Sequence, residues 1–203
     1  MTGARAATLS DVEPVADALV RAFEDDPLMM YLFRSDQGRR KKSRLFFVSD
    51  ARRAIEKDKG RVDTNDDAGT KGGAIWFAPG QWRTGGMELF GQIPMLLRMG
   101  VETPRALTVL NLVEKVHPKE PHWYLAVLGT DPEYQGKGIG SALMAPVLSK
   151  CDEEGVPAYL ESSKERNIPF YERHGFKVTN ELQIKNGPSL WPMWRDPRPP
   201  DGP

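Results

Sequence analysis

Residues 122–140, HWYLAVLGTDPEYQGKGIG, constrain the fold more than any other stretch of this chain. Trp123-Tyr124-Leu125-Ala126-Val127-Leu128 is an apolar run of aromatic and branched residues, which predicts a largely buried strand. Asp131-Pro132 breaks it with turn chemistry, and Gly136, Gly138 and Gly140 follow just before an apolar periodicity that predicts a helix from Ile139. A strand, a glycine-rich turn and a helix N-terminus aim free N–H groups and the positive end of the helix dipole at one spot, which makes an anion site.

Two phosphate loops are excluded at this turn. The dinucleotide pattern G-x-G-x-x-G fails because Ser141 stands where a third glycine is needed, and G-x-x-x-x-G-K-[ST] is absent. What remains is Gln135-Gly136-Lys137-Gly138-Ile139-Gly140, a Q-x-x-G-x-G pattern. It resembles the acyl-CoA pyrophosphate loop of the GNAT superfamily of N-acetyltransferases, and the likeness continues through Asn167, Tyr171 and Gly175-Phe176. The LESS…N…FYERHGF segment is loosely similar to the small-molecule, puromycin N-acetyltransferase-like members; the resemblance covers residues 122–176 well and the first half poorly.

The resemblance implies an α/β fold with a GNAT-like mixed, mostly antiparallel central sheet, splayed between two strands and flanked by helices. It implies acetyl-CoA as co-substrate, with the pyrophosphate on backbone N–H groups of Gln135, Gly136, Lys137, Gly138, Ile139 and Gly140 and with Ser141 beside them. The pantetheine arm and acyl carbonyl fall to main-chain groups at Leu128 and Thr130, by strand addition. Asn167 and Tyr171 stand four residues apart across the start of a short helix, so both can face one ligand. The family's tyrosine four residues before Gly-Phe protonates the departing thiolate, and Tyr171 fits that place. A phenol with an ordinary pKa near 10 is protonated at neutral pH and can serve a thiolate with a pKa near 8.5. For the base, some members carry Glu or His six residues before the position of Thr130. Here that position is Tyr124, a departure that leaves the role open. Period-2 geometry puts His122 on the face of Tyr124, Ala126 and Leu128, and Glu161 ends a strand facing the gap; Glu24 or Asp25 are further candidates.

The rest of the chain supplies a frame. Residues 4–8 read as a strand, and Val12, Val15, Ala16, Leu19, Ala22 and Phe23 read as an amphipathic helix with Asp11 as N-cap and Pro14 in its first turn. Glu24-Asp25-Asp26 reads either as a solvated helix end or as an acidic wall attracting an amine. Arg39-Arg40-Lys41-Lys42 leads into a helix carrying Leu45, Phe46, Val48 and Ile55, a solvated charge run. Gly72-Gly73, after Asp66-Asp67, predicts a hairpin turn into a strand at 74–78. Residues 81–121 read as a helical insertion, a lid or wall over a substrate pocket. Ile139, Leu143, Met144, Val147, Leu148 and Cys151 form one stripe, with Pro146 inside it, and Cys151 reads as a small buried hydrophobe. Strands follow at 158–161 and 181–184, a short helix runs from Ile168 to His174 with Gly175 after it, and Leu190–Trp194 reads as a last edge strand. One GNAT-like domain, 1–196, with a disordered tail at 197–203, is the expected organisation.

With 203 residues, roughly 70% of the unfolded surface can be buried in one domain. Lys and Arg number 28 and so do Asp and Glu, which gives no charge signature for nucleic acid or an anionic membrane. One cysteine excludes an intrachain disulfide and a cysteine-built metal site, and no run reaches a membrane span of about 18 apolar residues. The expectation is a cytoplasmic acetyl-CoA-dependent N-acetyltransferase, monomer or homodimer, that acetylates a primary amine of a small molecule by direct attack and needs no metal. A protein or peptide N-acetyltransferase and a non-catalytic acyl-CoA-binding regulator are the competing readings.

Overall fold

The computed structural model describes residues 3–56, 59–65, 69–82 and 103–198, the side chain of Gln37 excepted. Its sheet has the expected mixed, mostly antiparallel character. β1 (Ala4–Ala6), β2 (Gly60–Asn65), β3 (Gly72–Phe77) and β4 (Trp123–Thr130) pair antiparallel in succession. β5 (Ala158–Ser162) then joins β4 in parallel, and β8 (Ser189–Arg195) joins β5 antiparallel. The short β6 (Lys177–Val178) and β7 (Leu182–Gln183) both pair with β8.

Helices cover both faces because each carries an apolar stripe. On one face, α1 (Val12–Ala22) and α3 (Asp36–Glu56), joined by α2 (Pro27–Leu32), bury Val15, Leu19, Phe47 and Ala51 against Ile75, Phe77 and Val127 of the sheet. On the other, α5 (Ile139–Glu154) buries Leu143, Met144, Val147 and Cys151 against Trp76, Leu125 and Leu160. Burial pushes the Cys151 thiol up to about 12, as suits a packing residue. Helix α4 (Thr103–Val116) lies in the second half of the 81–121 insertion, and α6 (Ile168–Arg173) is the helix before Gly175, which has φ 92°. Residues 83–102 of the insertion, with the apolar run from Met87 to Met99, and Asp66-Asp67 lie outside the described residues. Among those described, no helix is long and apolar enough to cross a membrane.

One local expectation needs refinement and two need correction. Asp11 holds the N-cap position of α1 as expected but makes no side-chain cap bond; its carboxylate turns back to accept the Thr8 N–H at 2.8 Å and to pair with Arg5 at 2.7 Å, closing a 3₁₀ turn at Leu9–Asp11. Gly72-Gly73 is not a turn but the start of β3. A Cβ on Gly73 would stand 2.6 Å from Val15 Cγ1, and one on Gly72 would stand 2.6 Å from the Gly129 carbonyl, so these glycines admit close packing. Leu190–Trp194 is not an edge: β8 lies between β5 and β6. Pro192 is tolerated there because a strand residue turns its N and C=O to the same side. Its carbonyl accepts Thr179 N–H at 2.9 Å on the β6 side, so the missing donor costs no bond to β5.

Candidate active site

The two central strands part. β3 stays with β4 as far as the Gly72–Thr130 pair, whereas β5 stays with it only for Trp123–Ala158, Tyr124–Tyr159 and Leu125–Leu160. At the point of separation the β3–β4 register steps from Trp76–Leu125 to Ile75–Val127, leaving Ala126 as the extra residue of a bulge. A bulge bends and twists its strand, which turns the following residues of β4 away from β5. Ala126–Thr130 therefore keep one edge free of strand pairing. The bulge also flips side-chain parity: Tyr124 and Ala126 pack on the α1/α3 side, while Leu128 packs on the α5 side. His122, Tyr124 and Leu128 do not share one face as strict alternation required.

The glycine turn opens beside that free edge. Asp131 anchors it, accepting Glu133 N–H at 3.2 Å and pairing with Arg21, while its own N–H donates to the Lys71 carbonyl at 2.8 Å. Gly136 and Gly138 take φ of 74° and 80°, a region in which other residues are strained. The first intrahelical bond of α5 runs from Ala142 N–H to Gly138 O at 3.0 Å, so the N–H groups of Ile139, Gly140 and Ser141 precede any helix acceptor. Gln135 braces the turn by donating to the Thr130 carbonyl at 3.2 Å, and the Lys137 ammonium donates to Glu133 O at 3.2 Å. A Cβ on Gly140 would come 3.2 Å from the Phe170 ring, so glycine there lets α6 close on the helix start. The turn has the donors and positive dipole that a pyrophosphate requires.

Tyr171, on α6, is 8% exposed and belongs to the apolar cluster under α5, with Leu128 at its margin. Burial first, and then the charge of Asp26, hold its phenol above the ordinary range. Asp26 caps α2 through Leu28 and Met29 N–H, both at 3.0 Å, and accepts the Ser163 hydroxyl just beyond β5. Its neighbours are engaged as well: Asp25 pairs with Lys164 and Arg166, and Glu24 with Arg40 at 2.6 Å. The acidic stretch is thus engaged in ion pairs and a helix cap. Asn167 stands half-buried at the start of α6 and makes no side-chain cap bond.

A second polar group lies on the α1/α3 side of the sheet. Tyr124 donates to Glu161 Oε2 at 2.8 Å. Glu161 Oε1 faces His117 Nδ1 at 3.6 Å, and His117 Nε2 meets His122 Nε2 at 3.0 Å. His122 Nδ1 lies 2.6 Å from the Glu120 carbonyl, and Trp82 stacks on His117 at 3.6 Å between centroids. Burial lowers the His122 pKa, and burial with the Glu161 charge raises those of Tyr124 and Tyr159. The structure thus links His122 to Glu161, but only through His117, which sequence reading passed over. Its one signal was a pair of histidines flanking the Pro118 to Pro121 loop. Among the described residues, no group of three or more His, Cys, Asp or Glu side chains is placed to hold a metal.

The comparisons agree with this geometry. Residues 97–176 match the Acetyltransferase (GNAT) family. An uncharacterized N-acetyltransferase of Schizosaccharomyces pombe is 29% identical over 86% of this chain and 74% of its own length. A Corynebacterium glutamicum structure described as histone acetyltransferase HPA2 and related acetyltransferase superposes with TM-score 0.70 at 26% identity, covering 99% of both chains. A Drosophila melanogaster polyamine N-acetyltransferase that forms N-acetylagmatine shares the fold, with TM-score 0.69 at 14% identity over 97% of this chain and 100% of that one. The parted strands and the glycine turn thus lie in a chain whose residues 97–176 match the GNAT acetyltransferase family and which is similar along most of its length to N-acetyltransferases.

Proposed function

We propose that this chain transfers an acetyl group from acetyl-CoA to the primary amine of a small molecule by direct attack, with Tyr171 protonating the departing thiolate. The observation that carries the reading is the free edge of β4 running directly into the glycine turn. An extended, amide-bearing arm fits such an edge as an added strand, through main-chain groups at Leu128 and Thr130. Backbone N–H groups from Gln135 to Gly140, with Ser141, suit the pyrophosphate beyond it, and Asn167 is assigned to the same cofactor. Acetyl-CoA supplies the activated acyl carbon and the thiol leaving group. Tyr171, held protonated by its surroundings, keeps its proton until a thiolate appears. His122 and Glu161 remain the candidates to take the proton of the attacking ammonium. Acceptor selection falls to the first helices and the 81–121 insertion, with 1–196 acting as one domain.

The known chemistry of related folds guides the first acceptors to try. Agmatine and polyamines belong in the panel because a polyamine N-acetyltransferase shares this architecture. A free-thiol release screen with acetyl-CoA against small primary amines, alongside peptide N-termini, tests the reading. Thiol release with a small amine and none with peptides is expected. Turnover confined to peptides would replace the small-molecule acceptor, and absence of acetyl-CoA binding by calorimetry would remove the co-substrate.

A further inference from the structure

Where His117 meets Glu161, donors are few: besides the Tyr124 hydroxyl there is that of Tyr159, which acts on Glu161 and is buried without a well-formed hydrogen bond. The Glu120 carbonyl only accepts, so its 2.6 Å contact fixes a proton on His122 Nδ1. Burial keeps the His122 ring neutral near pH 7, which leaves a lone pair on its Nε2. The 3.0 Å contact between the two Nε2 atoms then takes its hydrogen from His117. A neutral His117 so arranged has a lone pair on Nδ1, and that atom faces Glu161 Oε1 at 3.6 Å. Both atoms are buried, and neither is hydrogen-bonded to another described group. The other Glu161 oxygen is already occupied by the Tyr124 hydroxyl at 2.8 Å. Two acceptors confront each other in a low-dielectric setting, and one added proton converts them into a hydrogen-bonded ion pair.

From this arrangement we propose that His117 and Glu161 jointly take the proton of the attacking amine, with His122 a positioning residue that sets the His117 tautomer. The inference rests on the acetyl-transfer reading above. In the step, one N–H bond of the ammonium breaks, its proton enters at the Glu161 carboxylate, the less buried member of the pair, and comes to rest on His117 Nδ1, and the electron pair stays on nitrogen for attack on the acyl carbon. The imidazolium formed is held between the Glu161 carboxylate and the His122 Nε2 lone pair. The other groups facing the pair are Tyr124 on β4, Tyr159 on β5, Glu120 in the preceding loop, and Asp50 on α3, whose charge acts on Tyr124 and which pairs with Arg53 at 3.4 Å. Trp82, stacked on the His117 ring, holds its plane toward Glu161.

The chain contains three histidines, so side-chain ¹⁵N NMR of the full protein reads their tautomers without any acceptor. At pH 8, His122 should carry its proton on Nδ1, His174 likewise through its 2.8 Å contact with the Phe170 carbonyl, and His117 on Nε2 alone. His117 protonated on Nδ1, or already doubly protonated at that pH, would overturn the proposal. For an amine found by thiol release, His117→Gln should lower kcat/KM by about 10²- to 10⁴-fold and move the acid-side limb of its pH profile, with acetyl-CoA affinity unchanged. A structural histidine predicts a lower melting temperature and an unmoved profile, and that result also overturns the proposal. If wild-type protein releases no thiol with any amine or peptide, the acetyl-transfer reading fails and the base assignment falls with it; if transfer is found, a His117 protonated on Nδ1 overturns the base assignment alone.

Discussion

The two sides of β4 use glycine for opposite purposes. Toward β3, Gly73 and Gly129 form a cross-strand pair beneath α1, and a Cβ on Gly129 would stand 2.8 Å from Leu19 and 2.9 Å from Ala22. Those glycines are required by atoms of the protein itself. At the far end of the strand, Gly136 and Gly138 have positive φ, and a Cβ on Gly136 would meet nothing within 4 Å. No described atom crowds Gly136, so positive φ is what calls for glycine there, as it does at Gly155, which caps the end of α5 with nothing within 4 Å. The contrast separates glycines required by packing from glycines required by backbone conformation, and the proposed cofactor turn draws on the second kind.

Substitution on each side breaks or sharpens the contrast. The largest effect is expected from Gly138→Asp, which places a negative charge at the anion cradle and should abolish acetyl-CoA binding in calorimetry. Asp and Asn both tolerate positive φ, so Gly138→Asn controls for backbone strain and should retain measurable binding. Unchanged affinity in the folded Asp variant would remove the cradle. Tyr171→Phe comes next: the shape survives, the O–H is lost, and kcat should fall by about 10²- to 10⁴-fold while acetyl-CoA affinity barely moves. A Phe variant that keeps most of its kcat takes Tyr171 out of the mechanism. On the β3 side, Gly129→Ala should cost about 1–3 kcal/mol in urea unfolding by overpacking α1, with the affinity of the folded fraction for acetyl-CoA preserved. A Gly129 variant that is stable yet fails to bind would merge the two classes of glycine.

What the sequence disclosed follows the range of the interactions involved. The β4, turn and α5 unit was legible because its signals are local: an apolar run, turn residues, glycines and a stripe all lie within a few residues of their consequences. The Cys151 stripe and the Gly175 helix end were legible for the same reason. The position of β8 was not, since Trp-Pro-Met-Trp reads as an edge until its partners on both sides are known. The Ala126 bulge left no local mark either, and it overturned the alternation that put Leu128 on the His122 face. His117 was missed because its meaning depends on Glu161, a residue two strands further along the chain. Gly72-Gly73 shows the complementary error, as glycine pairs suit a tight turn and a crowded strand equally well until the neighbouring helix is placed.

The smallest predicted effect concerns the acidic stretch beyond α1. An acidic wall that attracts an amine and a brace of ion pairs are two readings of Glu24, and they predict different losses. Glu24 pairs with Arg40 at 2.6 Å while the two side chains remain 53% and 68% exposed, so solvent screens the attraction and the pair is worth at most about 0.5–1 kcal/mol. Glu24→Gln should therefore change stability by no more than that, lose even this small difference in high salt, and leave the KM of a verified amine unchanged. An attracting wall predicts instead a KM that rises on substitution and that depends on salt in the wild type but not in the variant. Steady-state kinetics at two ionic strengths, with a urea curve for each protein, separates the two, and a raised KM without a stability change would restore Glu24 to substrate recruitment.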